Sequence, residues 1–160
     1  MAEQIGPILS HYVDVYGLIA IFIIMLLKEI GLPIPIPSDL LMLAAAAQAA
    51  AGRYVLWQGF GILLLAMLVG AWVQYLLVRR FGRPLLDRVG RYVGLPPERV
   101  EKASALMRKG GTVGIATSLT TPGVRIATVP ACALAEVPLP NFLLGVLVGS
   151  GIFLALHFAI

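Results

Sequence analysis

The chain has 160 residues, 59% of them hydrophobic and only 12% charged, with a net charge of +4. Soluble domains average about 25% charged residues, so this composition and a mean hydropathy of +0.93 exclude an ordinary water-soluble fold and point to one integral membrane domain, 1–160. A single cysteine, two histidines near opposite chain ends and no G-x-x-x-x-G-K-[ST] loop leave no intrachain disulfide, cysteine-cluster metal site or nucleotide-driven pump.

No nucleophile, base and metal set suggests an enzyme, and no cofactor is expected. The basic isoelectric point, near 9.6, comes from a localised segment, so membrane topology explains it better than nucleic-acid binding.

The first apolar run, 13–28, follows Glu3, His11 and Asp14 without a basic leader. It is therefore expected to be a retained span rather than a cleaved signal. As a helix it measures about 24 Å, a little short for a crossing.

It ends at Lys28-Glu29-Ile30-Gly31-Leu32-Pro33-Ile34-Pro35-Ile36-Pro37-Ser38-Asp39. Two carboxylic acids and three prolines here interrupt apolar sequence on both sides. Proline lacks the N–H that a helix needs, and an ionised carboxylate at bilayer depth costs about 3 kcal/mol on insertion scales. Irregular backbone survives there only inside protein or against a water-filled cavity. The expectation is a re-entrant element, 29–52, whose return arm, 40–51, is too short to span. Ser38 or Asp39 is the expected N-cap of that arm. Its run of alanines favours close helix packing in lipid.

Residues 55–78 read as a clear span, with Trp57 and Tyr75 as interfacial anchors and Gly59, Gly61 and Gly70 permitting close approach. Residues 79–111 form the long polar stretch and hold nine of the twelve Lys and Arg residues. Apolar positions recur in it at helical spacing, and Leu95-Pro96-Pro97-Glu98 divides it in two. This predicts amphipathic helices on the membrane surface, on the cytoplasmic side by the positive-inside rule.

Residues 112–137 are apolar but broken at Pro122, Gly123, Arg125 and Pro130, which predicts a second re-entrant element. Residues 142–160 are the last span. The two broken elements would open to opposite sides, suggesting an inverted repeat; Leu68-Val69-Gly70 and Leu147-Val148-Gly149 echo one another. The fold class expected is an all-α integral membrane protein. It has about three transmembrane helices, two opposed re-entrant hairpins and a cytoplasmic amphipathic segment.

Glu29 and Asp39 are the candidate proton-binding residues. The simpler readings are that both lie in water at the interface, or that Asp39 only caps a helix. Arg125 is the sole Lys or Arg after Lys109. Its guanidinium is always charged and offers a planar fork suited to phosphate. It could pair with Glu29 or Asp39, receive an anionic headgroup, or serve as a purely structural ion-pair partner. Glu136 reads as interfacial. Thr117, Ser118, Thr120 and Thr121 are expected to satisfy backbone groups freed by Pro122, and Gln48 and Gln74 to bond between helices.

Glu29-x-x-x-Pro33-x-Pro35-x-Pro37-Ser38-Asp39 is similar to the first motif of the DedA family of SNARE-associated, VTT-domain membrane proteins. Pro122-Gly123-Val124-Arg125, then Val129-Pro130-Ala131-Cys132 and Phe142, resembles the second, usually R-[FHW]-x-P-G-x-R followed by P-A-G and an aromatic. The likeness covers about residues 15–158. Leu119 stands where the family's first motif arginine falls, and Cys132 where it has glycine.

The resemblance implies two re-entrant hairpins meeting in mid-membrane. It also implies flipping of a polyprenyl phosphate or phospholipid, driven by the proton motive force, in the prokaryotic cell membrane. Glu29, Asp39 and Arg125 carry over as the functional residues, with Pro33, Pro35, Pro37, Pro122, Gly123 and Pro130 shaping the breaks. The expected partners are membrane lipids, with an anionic headgroup as substrate, and protons; the glycine-rich last span and the small size of the chain permit a homodimer. Two alternatives remain open: a proton-coupled antiporter of small cations or drugs, and a membrane scaffold or assembly factor.

Overall fold

The computed structural model describes residues 2–32, 34, 36–93, 96–121 and 124–159, and side chains from Tyr16 onward except at 89 and 91–95. Among these residues every regular element is a helix: α1 (Ala2–Ile30), α2 (Ser38–Ala50), α3 (Leu56–Phe81), α4 (Arg83–Val93), α5 (Pro97–Thr120), α6 (Arg125–Leu134) and α7 (Leu139–Ala159). Pro33, Pro35, Pro122 and Gly123, four of the residues expected to shape the breaks, lie outside the described residues.

Among the described residues two helices, α3 and α7, are long and apolar enough to cross a membrane. They run antiparallel. Phe60, early in α3, packs edge-on against Phe158, late in α7, with ring centroids 5.8 Å apart. Tyr75, late in α3, stacks on Phe142, early in α7, at 4.5 Å.

The other helices arrange themselves around this pair as two similar groups. Ile21 and Met25 of α1 share an apolar core with Leu63, Ala66 and Met67 of α3, while a Cβ on Gly31 would stand 3.4 Å from Gln74 Nε2. So α1 runs the same way as α3. The chain then turns back: Gln48, near the end of α2, lies over Gly17 of α1, its Oε1 3.2 Å from where a Cβ on Gly17 would stand.

The second group repeats this pattern. Gly145 and Gly149 of α7 press against Ile115, Ala116 and Leu119 of α5, so the last turns of α5 run the same way as α7. After residues 121–124, α6 follows.

α2 and α6 end alike. Gly52 N donates to Ala49 O and Arg53 N to Gln48 O; Glu136 N donates to Ala133 O and Val137 N to Cys132 O. Both are Schellman closures with a left-handed residue, Gly52 at φ 77 and Glu136 at φ 55.

Three local expectations need correction. The N-cap of α2 is Pro37 with no side-chain bond, and Ser38 is already helical. An N-cap serine must lie outside helical backbone to reach back to the first amides. Tyr75 is not an interfacial anchor. It is 1% exposed, because its hydroxyl donates to Val137 O at 2.5 Å and accepts from Arg79 Nη1 at 2.8 Å; Trp57, 76% exposed, does stand outside the fold. The expected span 13–28 falls in α1, whose last turn meets Gly70, near the middle of α3, rather than either end.

The polar stretch forms α4 and the first arm of α5. The two arms of α5 meet at Gly111, where φ 53 and ψ −133 break the helix. The fold-back is tight: a Cβ on Gly114 would stand 2.7 Å from Leu106 O. These helices are not merely laid on a surface. Leu85 and Leu86 pack against the core of Tyr75 and Phe142, and Ala103 against Ala127 and Ala131 of α6.

Candidate functional site

Two apolar cores stack along α3 and α7. One gathers Ile21, Met25, Met42, Leu63, Met67 and Leu154. The other gathers Tyr75, Ile115, Leu119, Cys132, Phe142 and Val146. Two of the three charged residues expected from the sequence, Glu29 and Arg125, meet at the seam between them.

Glu29 reaches the seam from the end of α1. Gly31, at φ 111, closes that helix, with Gly31 N donating to Lys28 O and Leu32 N to Leu27 O. Gly70 of α3 holds the end in place. A methyl there would collide with Glu29 Cβ and lie 3.2 Å from Leu26 O, so only glycine allows the approach. Gly70 lies about 21 Å along α3 from Leu56 and about 16 Å from Phe81 at 1.5 Å per residue. Glu29 is therefore level with the middle of α3.

Arg125 comes from the other group, as the first residue of α6. Its Nη2 donates to Glu29 Oε1 at 3.4 Å, and the two side chains are 17% and 19% exposed. The guanidinium carbon also sits 4.1 Å from the centroid of the Phe153 ring on α7, a cation–π contact that helps hold a charge away from bulk water. The pair is thus mostly enclosed but not sealed.

Asp39 does not join it. In the first turn of α2, its side chain is 61% exposed, and its Oδ1 lies 3.4 Å from His157 Nε2. Of the two partners open to Arg125, the fold selects Glu29. Lys28, next to Glu29, donates from Nζ to the carbonyl of Ile36 across the proline-rich turn. It lies within electrostatic reach of Glu29, Arg125 and Asp39. Pro37 caps α2, and Pro130 is buried inside α6.

His157, Phe153 and Lys28 were not singled out from the sequence. The first two lie far from Asp39 and Arg125 in the chain, and their one signal is an aromatic and an imidazole one turn apart in an otherwise apolar span. Leu119 is buried at 5% exposure in the second core, where Gly149 packs on it.

The hydroxyls before the second break act locally. Thr117 donates to Val113 O, Ser118 to Gly114 O and Thr121 to Thr117 O, at 2.7 to 2.8 Å. The Ser118 carbonyl, which Pro122 would leave free, instead accepts from Thr121 N at 3.2 Å. Such back-bonded hydroxyls bend a helix rather than bind a ligand.

This arrangement can do two things chemically. Arg125 can exchange one oxyanion, the Glu29 carboxylate, for another. Glu29 can accept a proton when that exchange happens.

Among known proteins, the family described as VTT domain matches residues 34–160. A Bacillus subtilis (strain 168) protein named as the uncharacterized membrane protein YbfM is 28% identical over 135 residues, spanning 84% of this chain and 82% of its own length. No solved structure matches the chain.

Proposed function

This chain belongs to the VTT-domain family of membrane proteins, and on that premise we propose that it carries an anionic lipid across the bilayer with proton coupling. A polyprenyl phosphate or a phospholipid fits the substrate class. Arg125 takes the headgroup phosphate, Glu29 takes a proton as it releases Arg125, and the acyl or prenyl chains stay in the bilayer.

The observation that carries this reading is the Glu29–Arg125 pair at the seam. A buried pair that stays closed is weak evidence for stability, since desolvation offsets much of the attraction. Its depth, its partial exposure and its position between two helix breaks suit a site that opens. A phosphate brings Arg125 an oxyanion of equivalent geometry. Protonation removes the negative charge that Glu29 would otherwise leave unpaired in a costly environment.

The geometry supports reading α1–α2 and the last arm of α5 with α6 as two opposed re-entrant hairpins, each ending at the seam. Alternating access would then rock one group against the other around a fixed site. The basic segment 79–111 faces the cytoplasm of a prokaryotic cell in this reading. A second copy of the chain can complete a homodimer, and no enzymatic step is involved.

The test is reconstitution into vesicles holding a fluorescent phosphatidylglycerol, with its movement between leaflets followed by chemical quenching. Arg125→Ala is expected to slow movement at least tenfold, and Glu29→Gln to abolish its response to an imposed pH gradient. Equal rates for wild type and Arg125→Ala would overturn the reading. Uptake of a cation that Glu29→Gln abolishes, with no lipid movement, would put proton-coupled antiport in its place. Loss of folded protein in both variants would favour a scaffold.

A further inference from the structure

The two ring nitrogens of His157 face partners with different demands. Nδ1 lies 2.8 Å from the carbonyl oxygen of Phe153, one turn back on α7. A carbonyl only accepts, so Nδ1 carries a proton. Nε2 lies 3.4 Å from Asp39 Oδ1. In a neutral ring protonated on Nδ1, Nε2 is a bare lone pair. Two lone pairs would then face each other, and nothing would hold them there. The approach is attractive only with one more proton, either on Nε2 as imidazolium or on Asp39 as the acid.

We propose that Asp39 and His157 form a second proton-binding site, separate from the Glu29–Arg125 pair, that holds one shared proton when α2 and α7 are closed on each other. The proton comes from solvent, which reaches Asp39 at 61% side-chain exposure. When it leaves, the carboxylate and the Nε2 lone pair repel, and the contact between α2 and α7 loosens.

Among the described residues the charged surroundings of His157 come from two sides. α2 brings Asp39, with Lys28 and Glu29 behind it at the end of α1. α6 brings Arg125, which stands 4.1 Å over the Phe153 ring, while His157 packs on that same ring at 4.5 Å. Among the described contacts, α3 offers α7 an apolar side chain here, Phe60 against Phe158. Phe153 therefore links the two sites: an imidazolium on one side of the link disfavours the guanidinium on the other by like charge. A proton held at His157 biases Arg125 toward a mobile anion. Only this consequence for transport rests on the lipid-carrier reading; the proton site itself does not.

The chain has two histidines, so ¹⁵N-histidine labelling in a His11→Gln background reports on His157 alone. In nanodiscs, from about pH 5 to about pH 9, across the ordinary histidine range, Nδ1 is expected to stay protonated while only Nε2 gains or loses a proton. Asp39→Asn, a conservative change at an exposed position, is expected to move the His157 Nε2 resonance, because it removes the carboxylate that faces this nitrogen. An Nε2–H tautomer at alkaline pH, or superimposable Nε2 resonances with and without Asp39, would overturn the proposal. In the vesicle assay, His157→Gln is expected to change the pH profile of lipid movement; an unchanged profile would remove the link to transport. The expected spectra in a protein that moves no lipid would uphold the proton site and refute the carrier reading instead.

Discussion

Glu136 holds a left-handed backbone, φ 55, at the closure of α6, where the matching residue after α2 is Gly52. A non-glycine residue in this conformation costs roughly 1–2 kcal/mol, part of which glycine returns through its greater freedom when unfolded. The Glu136 side chain is exposed and none of the described interactions asks for it. Glu136→Gly is therefore expected to stabilise the protein by about 0.5–1 kcal/mol, seen as a higher denaturation midpoint in detergent; a lower midpoint would mean that the side chain has a role. At this scale the sequence was partly legible. Glu29 and Arg125 stood out because charge is rare in apolar sequence and must be partnered. Asp39 stood out for the same reason, but its partner did not, since an imidazole in the last span is an ordinary residue until the fold brings α2 against α7.

The elements were largely readable from hydropathy and breaks. α3 and α7 match the expected spans 55–78 and 142–160 to within a few residues, because long apolar runs leave a helix no alternative in lipid. The bend inside α5 was less visible. Gly110 and Gly111 lie at the boundary drawn between the amphipathic segment and the second broken element. The actual device is the single residue Gly111, whose φ 53 and ψ −133 suit glycine alone. Gly111→Ala should cost about 1–3 kcal/mol through the two arms of α5, with thermal unfolding shifted down while the isolated substitution adds no bulk to any contact. An unchanged unfolding midpoint would mean the arms can meet at another angle. The expectation that α4 and the first arm of α5 simply rest on a membrane surface left out their packing. An amphipathic pattern states that a helix has an apolar face, not whether lipid or protein covers it.

The whole molecule is two similar helical groups set head to tail around an antiparallel pair, with a charged seam between two apolar cores. That arrangement has a testable orientation. Cys132 is buried, so a membrane-impermeant maleimide in intact cells reads only cysteines introduced at exposed positions. Ala51→Cys, after α2, is expected to label from outside, and Arg88→Cys, on α4, only after the membrane is opened. Labelling of both from outside would contradict antiparallel crossing by α3 with a cytoplasmic basic segment. Composition alone required a membrane, the apolar runs required the long helices, and the rare charges nominated Glu29, Asp39 and Arg125, since each follows from the cost of a local group in lipid. Pairing is not local. Arg125 faced two carboxylates of equal chemistry, and the choice of Glu29 over Asp39 came from where Gly31 ends α1, how closely Gly70 lets it approach, and which helix α2 meets.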